Sequence, residues 1–266
     1  MPELPDVEAA RQRLAEAATG RLVRRVVADR RFVRNVHPED LARALRGRRL
    51  AEPRRLGKWL LCPTDRPVLL LHFGMTGGLV LGGGRSPYDR LVLELEGLEV
   101  RVRDVRRLGG AWLARSEDEA AALLEGLGPD ALAIDRATFL ERLARRRGGT
   151  KAVLMDQGFV AGIGNLYADE ICWRARIHPR TPVTALDVRA RTALHRAVRE
   201  VLGTAVGRIG RPPPPGWLLS ARGGPDARCP RCRTPLARTT AAGRTTYLCP
   251  ACQSSRERGA VSRGSR

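Results

Sequence analysis

Apolar positions change their spacing three times along the chain. Val7, Ala10, Leu14 and Ala17 recur at a helical period and Gly20 stands after the last turn, so residues 5–18 are predicted to form a helix with one buried face. From 22 to 113 the period shortens. Residues 21–27, 59–61, 68–73 and 91–95 alternate or run apolar between Gly, Pro and Asp, the pattern of strands in a sandwich or barrel, with a short helix predicted over 37–45. Ser116 to Glu119 then carries a capping-box pattern ahead of an Ala/Leu run. Helices are predicted over roughly 117–126, 135–147, 150–156, 165–175 and 185–206.

After these helices comes a stiff linker at 208–215 with four consecutive prolines. Residues 236–239 and 244–248 alternate as two strands around a turn at 240–243, and the last dozen residues form a basic tail expected to be disordered. The chain therefore divides into a β-rich region at 1–115, an all-helical region at 116–210, and 211–266, which holds the linker, a small Cys-rich module at about 225–255, and the tail.

Composition narrows the partner. In 266 residues, 48 Lys and Arg stand against 28 Asp and Glu, a formal net charge of +20, and 43% hydrophobic residues exclude global disorder. Positive charge without long basic runs is spread over folded surfaces and favours a polyanion, nucleic acid first. The terminus Met1-Pro2-Glu3-Leu4-Pro5-Asp6 lacks the basic and apolar regions of a secretory signal, and no apolar run is long enough to span a membrane, so a cytoplasmic protein is expected. Six cysteines in a reducing compartment point to metal rather than disulfides.

Cys229, Cys232, Cys249 and Cys252 form two C-x-x-C pairs, the thiolate set of one tetrahedral structural zinc. Two redox pairs are the weaker reading, because neither lies in a thioredoxin-like βαβ context. Cys62 and Cys172 read as small core residues, and His37, His72, His178 and His195 as structural. All the basic residues are arginine except Lys58 and Lys151, which singles out these two compact, titratable charges. Lys151 opens a segment running to Glu170 that joins two helices through Gly158, Gly162 and Gly164, with Asn165 expected to cap the second helix. In a basic protein this turn reads as a phosphate cradle. Once Met1 is removed, Pro2 is a secondary amine with a pKa of about 8 that can attack an anomeric carbon at neutral pH, with Glu3 beside it for proton transfer.

PELPDVE at the terminus, GKWLL around Lys58, HFGMTG around Met75, RDVRRLGG from Arg103, LMDQGFVAGIGNLYADEICWRARIHP and the four cysteines occur in this order over residues 2–252. Together they resemble the formamidopyrimidine-DNA glycosylase and endonuclease VIII family of base-excision repair enzymes. The resemblance implies an α+β multidomain fold: an N-terminal β-sandwich, a helix-two-turn-helix domain and a C-terminal zinc-finger β-hairpin. It implies a monomer on damaged double-stranded DNA, one structural zinc, and glycosylase plus lyase activity.

By the same resemblance Pro2 is the nucleophile that forms a Schiff base at the sugar C1′, Glu3 the catalytic carboxylate, and Lys58 the lysine at the damaged nucleotide. Asn165 and Arg244 grip flanking phosphates, with Lys151 as a further phosphate contact. Met75, Arg106 and Leu108 fill the void left by the extruded base. Leu108 stands where an aromatic is common, Asp6 replaces a glutamate, and 203–228 carries prolines in place of a long Gly-rich lesion-closing loop. These departures leave pyrimidine lesions of the endonuclease VIII kind as an alternative. A non-catalytic zinc-finger protein that binds DNA damage is the competing class, since it needs no reactive terminus.

Overall fold

The computed structural model describes residues 2–224 and 226–254; Met1 and the expected basic tail lie outside the described residues. The first helix, α1 (Leu4–Ala18), buries Leu4, Val7, Ala10, Leu14 and Ala18, and the chain leaves it through Gly20 at φ +81°, a backbone state that costs glycine little. Eight strands follow: β1 (Val23–Ala28), β2 (Arg54–Leu56), β3 (Trp59–Pro63), β4 (Val68–His72), β5 (Gly78–Leu81), β6 (Asp89–Leu95), β7 (Leu98–Arg103) and β8 (Gly110–Ala114), with α2 (Pro38–Leu45) between β1 and β2. They form two antiparallel four-stranded sheets, ordered β1-β6-β7-β5 and β2-β3-β4-β8. The fold is a sandwich and not a closed barrel.

Alternation along the strands fills two apolar layers. Leu91, Leu93, Val100 and Val102 of one sheet share a buried core with Leu60, Leu69, Leu71 and Leu113 of the other, together with Val7 and Leu14 of α1 and the thiol of Cys62. The opposite face of the second sheet, Leu61, Val68 and Leu70, is covered by Ala120 and Leu124 at α3 (Glu117–Leu123). A continuous apolar run in β4 is thereby explained, since both of its faces are buried. It also moves α3. Sequence pattern places this helix with the all-helical region, but its apolar face packs on the sandwich.

The described residues pack as two compact units: those up to Ile134 with Asp156–Gly164 and Leu202–Arg211, and Asp135–Met155 with Asn165–Val201 and the described residues from Pro212 on. The cut at 115/116 expected from sequence does not coincide with this packing. Helices α4 (Arg136–Ala144), α5 (Thr150–Met155), α6 (Asn165–Arg174) and α7 (Val188–Val206) lie within a few residues of their predicted spans. A short helix α8 (Leu218–Ala221) has no counterpart in the sequence pattern, because one turn shows no period. Strands β9 (Ala237–Ala241) and β10 (Arg244–Leu248) pair Ala241 with Arg244. Their turn is tighter than the predicted 240–243. Ala242 and Gly243, both at positive φ, make the two-residue connection that matches the strand twist. Among the described residues no helix is long and apolar enough to cross a membrane.

Candidate active site and zinc module

In the sandwich unit the start of α1 is fixed from both sides. The Glu3 N–H donates to Asp6 Oδ2 at 2.8 Å, so the shorter aspartate still caps the helix, and the Leu4 N–H donates to the Gly162 carbonyl at 3.1 Å. Glu3 is wholly buried, and its Oε2 accepts from the Gly164 N–H at 2.7 Å. Pro2, half-exposed, is held directly before this anchored carboxylate. Glycine is required at two of these approaches: a Cβ at Gly164 would collide with the Glu3 carboxyl, and one at Gly162 would lie 2.5 Å from Leu4 Cδ1.

The three loop glycines do not lend their N–H groups to the predicted phosphate cradle. Gly158 N–H donates to Asp156 Oδ1, Gly162 N–H to Gln157 Oε1 and Gly164 N–H to Glu3, so all three are engaged within the chain. The loop serves close backbone approach instead. Helix α6 begins at Asn165 itself, which therefore does not act as its cap.

Register in the second sheet gathers the next groups. Trp59 pairs with His72 and His72 with Gly110, so Lys58 before β3, the turn after β4 and the loop before β8 lie at one end of the same sheet. The Lys58 turn is anchored at Gly57, whose N–H donates to Asp130 Oδ2 at 2.7 Å. Asp130 also binds Arg55, which reaches Glu8 at 3.0 Å. Burial pushes the Glu8 carboxyl up, but hydrogen bonds and charge from Arg11 and Arg55 outweigh it and hold the group below its ordinary value.

His72, structural in the sequence reading, sits beside Lys58. Burial first and the Lys58 charge second lower its pKa, and Nδ1 accepts the Gly74 N–H at 3.2 Å, which leaves Nε2 as the protonated nitrogen of a neutral ring. Its place next to GMTG was the available signal. Met75 and Leu108 are 36% and 46% exposed, respectively, large apolar groups left in solvent, and Arg106 Nη1 lies 3.9 Å from the Met75 sulfur. Arg30, Arg31, Arg34, Arg106 and Arg107 line a basic recess of about 640 Å³.

In the other unit Lys151 departs from its expected role. Its side chain has no exposure, and Nζ lies 2.7 Å from Asp169 Oδ1, 2.6 Å from Thr246 Oγ1 and 3.3 Å from the Thr245 carbonyl. Two hydrogen bonds and the ion pair with Asp169 engage the buried ammonium, which leaves no exposed donor for a phosphate. Lys151 ties α5 and α6 to the hairpin. Burial raises the Asp169 carboxyl despite Lys151 and Arg222, and it raises Glu170, which accepts from the Leu219 N–H at 3.0 Å, to about 7. Asn165 Nδ2 donates to the Thr245 carbonyl at 3.2 Å while its Oδ1 is buried without a partner; Arg244 is exposed at the start of β10.

The four cysteine sulfurs lie within 4.8 Å of one another. A tetrahedron of Zn–S bonds of about 2.3 Å has edges of about 3.8 Å. Cys229–Cys252, Cys232–Cys249 and Cys232–Cys252 sulfur separations of 3.9, 3.4 and 3.5 Å fit it. Trp173 Nε1–H donates to Cys229 Sγ at 3.3 Å, and Gln253 links the Cys249 N–H to the Ile177 carbonyl, which docks the cluster on α6. Four thiolates close the coordination sphere, so the zinc they would hold is structural and offers no reacting position.

Comparison with known proteins agrees with this geometry. Family models match for the formamidopyrimidine-DNA glycosylase N-terminal domain over residues 1–111, the formamidopyrimidine-DNA glycosylase H2TH domain over 126–211, and the zinc finger found in FPG and IleRS over 228–254. The formamidopyrimidine-DNA glycosylase of Thermus thermophilus is 38% identical, the match covering 95% of this chain and 98% of that one. The Herpetosiphon aurantiacus enzyme of the same name is 33% identical, covering 95% and 100%. The Lactococcus lactis Fpg bound to abasic-site DNA superposes with a TM-score of 0.84 at 28% identity, covering 95% of this chain and all of that one. These likenesses define a zinc-finger DNA glycosylase of base excision repair, with the lyase activity of its class. The chain belongs to the formamidopyrimidine-DNA glycosylase family.

Proposed function

We propose that this chain, acting as a monomer in the cytoplasm on damaged double-stranded DNA, excises oxidised or ring-opened bases through an imine on Pro2 and then cleaves the strand. With Met1 removed, the Pro2 nitrogen adds its lone pair to C1′ of the damaged nucleotide. The N-glycosidic bond breaks, its electrons leave with the base, and the base takes up a proton. Glu3, held by Gly164, is placed to manage the proton that opens the sugar ring. The resulting iminium is the electron sink for loss of a C2′ proton and expulsion of the 3′ phosphate. Lys58 supplies a compact charge at the damaged nucleotide, with neutral His72 as a further donor to its phosphate. Asn165 and Arg244 grip flanking phosphates, and the arginine recess carries further backbone contacts. Met75, Arg106 and Leu108 occupy the vacated stack. Lys151 is left out of this contact set, because its ammonium is already satisfied inside the protein.

The observation that carries the reading is the buried Glu3 carboxylate fixed by a backbone N–H one residue from Pro2. Borohydride reduction during incubation with abasic-site DNA is expected to give a covalent adduct that maps to Pro2 and is lost in Pro2→Thr. An adduct mapping to Lys58 overturns the assignment; binding of the same DNA with no adduct at all would favour the non-catalytic alternative.

Lesion choice follows from the segment after α7. It closes on α8, whose Leu219 N–H is held by Glu170, and it has no long Gly-rich loop. With little to read the extruded base, we expect tolerance of several ring-opened purines and oxidised pyrimidines, limited by how easily each damaged pair opens. Single-turnover rates on matched duplexes check this, and a rate for 8-oxoguanine far above all others would refute it.

A further inference from the structure

Met75 and the Arg106–Leu108 loop come from different strands, yet filling one void requires them to move as one body. A single buried carboxylate joins them. Asp104 has no exposure; its Oδ1 accepts the Thr76 hydroxyl at 2.6 Å and the Arg106 N–H at 3.2 Å, and its Oδ2 accepts the Gly109 N–H at 2.8 Å. The base of this clamp is fixed in the sandwich, because the Asp104 N–H donates to the Tyr88 carbonyl at 2.9 Å and the Asp104 carbonyl accepts from Arg90 Nε at 2.8 Å. Backbones interlock around it: a Cβ at Gly74 would sit 2.5 Å from the Gly109 nitrogen. Arg107 is held at φ +53°, a left-handed conformation that a non-glycine residue keeps only where its surroundings enforce it.

We infer that Asp104 is a positioning residue that locks the Met75 turn and the Arg106–Leu108 loop into one preformed wedge, with the Thr76 hydroxyl as the link between them. This rests on the void-filling role proposed above. Burial alone raises the Asp104 carboxyl, but its Thr76 and backbone donors outweigh that and hold it below the ordinary value, so it stays an acceptor at neutral pH. A wedge ordered before DNA arrives avoids the entropy cost of ordering two loops while the base is being extruded.

Thr76 is exposed, so Thr76→Val leaves the fold intact and removes only the link. Two reactions separate the roles: single-turnover excision of dihydrouracil from a fully paired duplex, which must open a stack, and borohydride trapping at an abasic site in single-stranded DNA, which has none. Thr76→Val is expected to slow duplex excision by at least about tenfold, the size of one hydrogen bond to a charged group. Trapping should stay within about twofold, and Thr76→Ser should restore excision. Combined with Met75→Ala, it should add nothing to the loss from Met75→Ala alone, since the two act through one element. Asp104→Asn, which turns an amide N–H toward the loop donors, should repeat the Thr76→Val pattern.

Equal loss on both substrates, or unchanged duplex excision, overturns the clamp. So does a folded Asp104→Asn variant with normal excision, which would mean that Thr76 touches DNA directly. An unaltered protein that neither excises nor traps would instead refute the underlying activity. Normal duplex excision by Met75→Ala would refute the wedge assignment itself.

Discussion

The sandwich and the zinc hairpin hold their functional groups by opposite means. In the sandwich unit buried apolar side chains of α1, α2 and both sheets form one core, and the groups at its edge are set by short turns and backbone N–H bonds to the carboxylates of Glu3, Asp104 and Asp130. In the zinc-bearing unit the cluster under the hairpin is Trp173 and Leu218 with Cys229 and Cys249, joined by the enclosed Lys151–Asp169 pair and the buried Glu170. So small a module cannot rest on hydrocarbon burial alone, and metal and buried charge take over. The sandwich end should therefore respond to steric changes and be indifferent to chelators, while the hairpin should respond to metal, to charge removal and to pH.

The largest effect expected is loss of zinc, since structural zinc binding is worth about 10–16 kcal/mol in small modules. Cys229→Ser or a strong chelator should strip hydrogen-exchange protection from β9 and β10, and DNA binding with it, while α1 and the sandwich strands keep theirs. Equal loss in both units would show that the hairpin and the sandwich do not differ in their dependence on metal.

Next in size is Lys151→Met, which strands Asp169 in a buried site with Arg222 no nearer than 3.6 Å. Removing one partner of a buried pair costs about 3–5 kcal/mol, and replacing both with apolar residues recovers most of it. Denaturant melts of Lys151→Met and of Lys151→Met with Asp169→Leu check this. A single-variant loss under about 1 kcal/mol would mean that the pair behaves as a surface pair.

Glu170 sharpens the contrast through pH. Its folded pKa of about 7 stands above the ordinary value of 4.5. As pH rises between these values the unfolded chain loses its proton first, so stability falls over that window and no further above it, by up to about 3 kcal/mol for a shift of this size. Glu170→Gln should melt with the parent near pH 5 and above it near pH 8. Parallel curves at both pH values would show that Glu170 is ionised throughout. The smallest effect in energy is Gly164→Ala, where the added Cβ must displace the Glu3 carboxyl. Excision should fall at least about tenfold, roughly 1.4 kcal/mol in the barrier, with zinc content and melting point retained. Full activity would show that the held carboxylate is dispensable.

Much of this molecule is local, and what is local was legible. Helix and strand spans follow from the 3.6 and 2 periods, and the cysteine spacing announces its zinc. The adjacency of Pro2 and Glu3 is covalent, and no folding is needed to see it. Helix α3 changes region between sequence and structure because periodicity tells which face of a helix is apolar but not which partner covers it. Lys151 reads as a phosphate ligand because a lysine at a loop entrance usually faces water. Its ammonium is enclosed by Asp169 and by Thr245 and Thr246, more than ninety residues further on, and no local pattern encodes that.

His72 and Asp104 are of the same kind. Each owes its role to the register of β3, β4 and β8, which sets Lys58, the Met75 turn and the Leu108 loop at one sheet end. The sequence by itself determined the elements, the metal set and the adjacency of Pro2 and Glu3, all properties of residue type and near neighbours. Tertiary structure alone decided which charges are buried, which N–H groups are spent and which loops act together. Desolvation and hydrogen-bond satisfaction depend on partners that only the folded chain brings within reach.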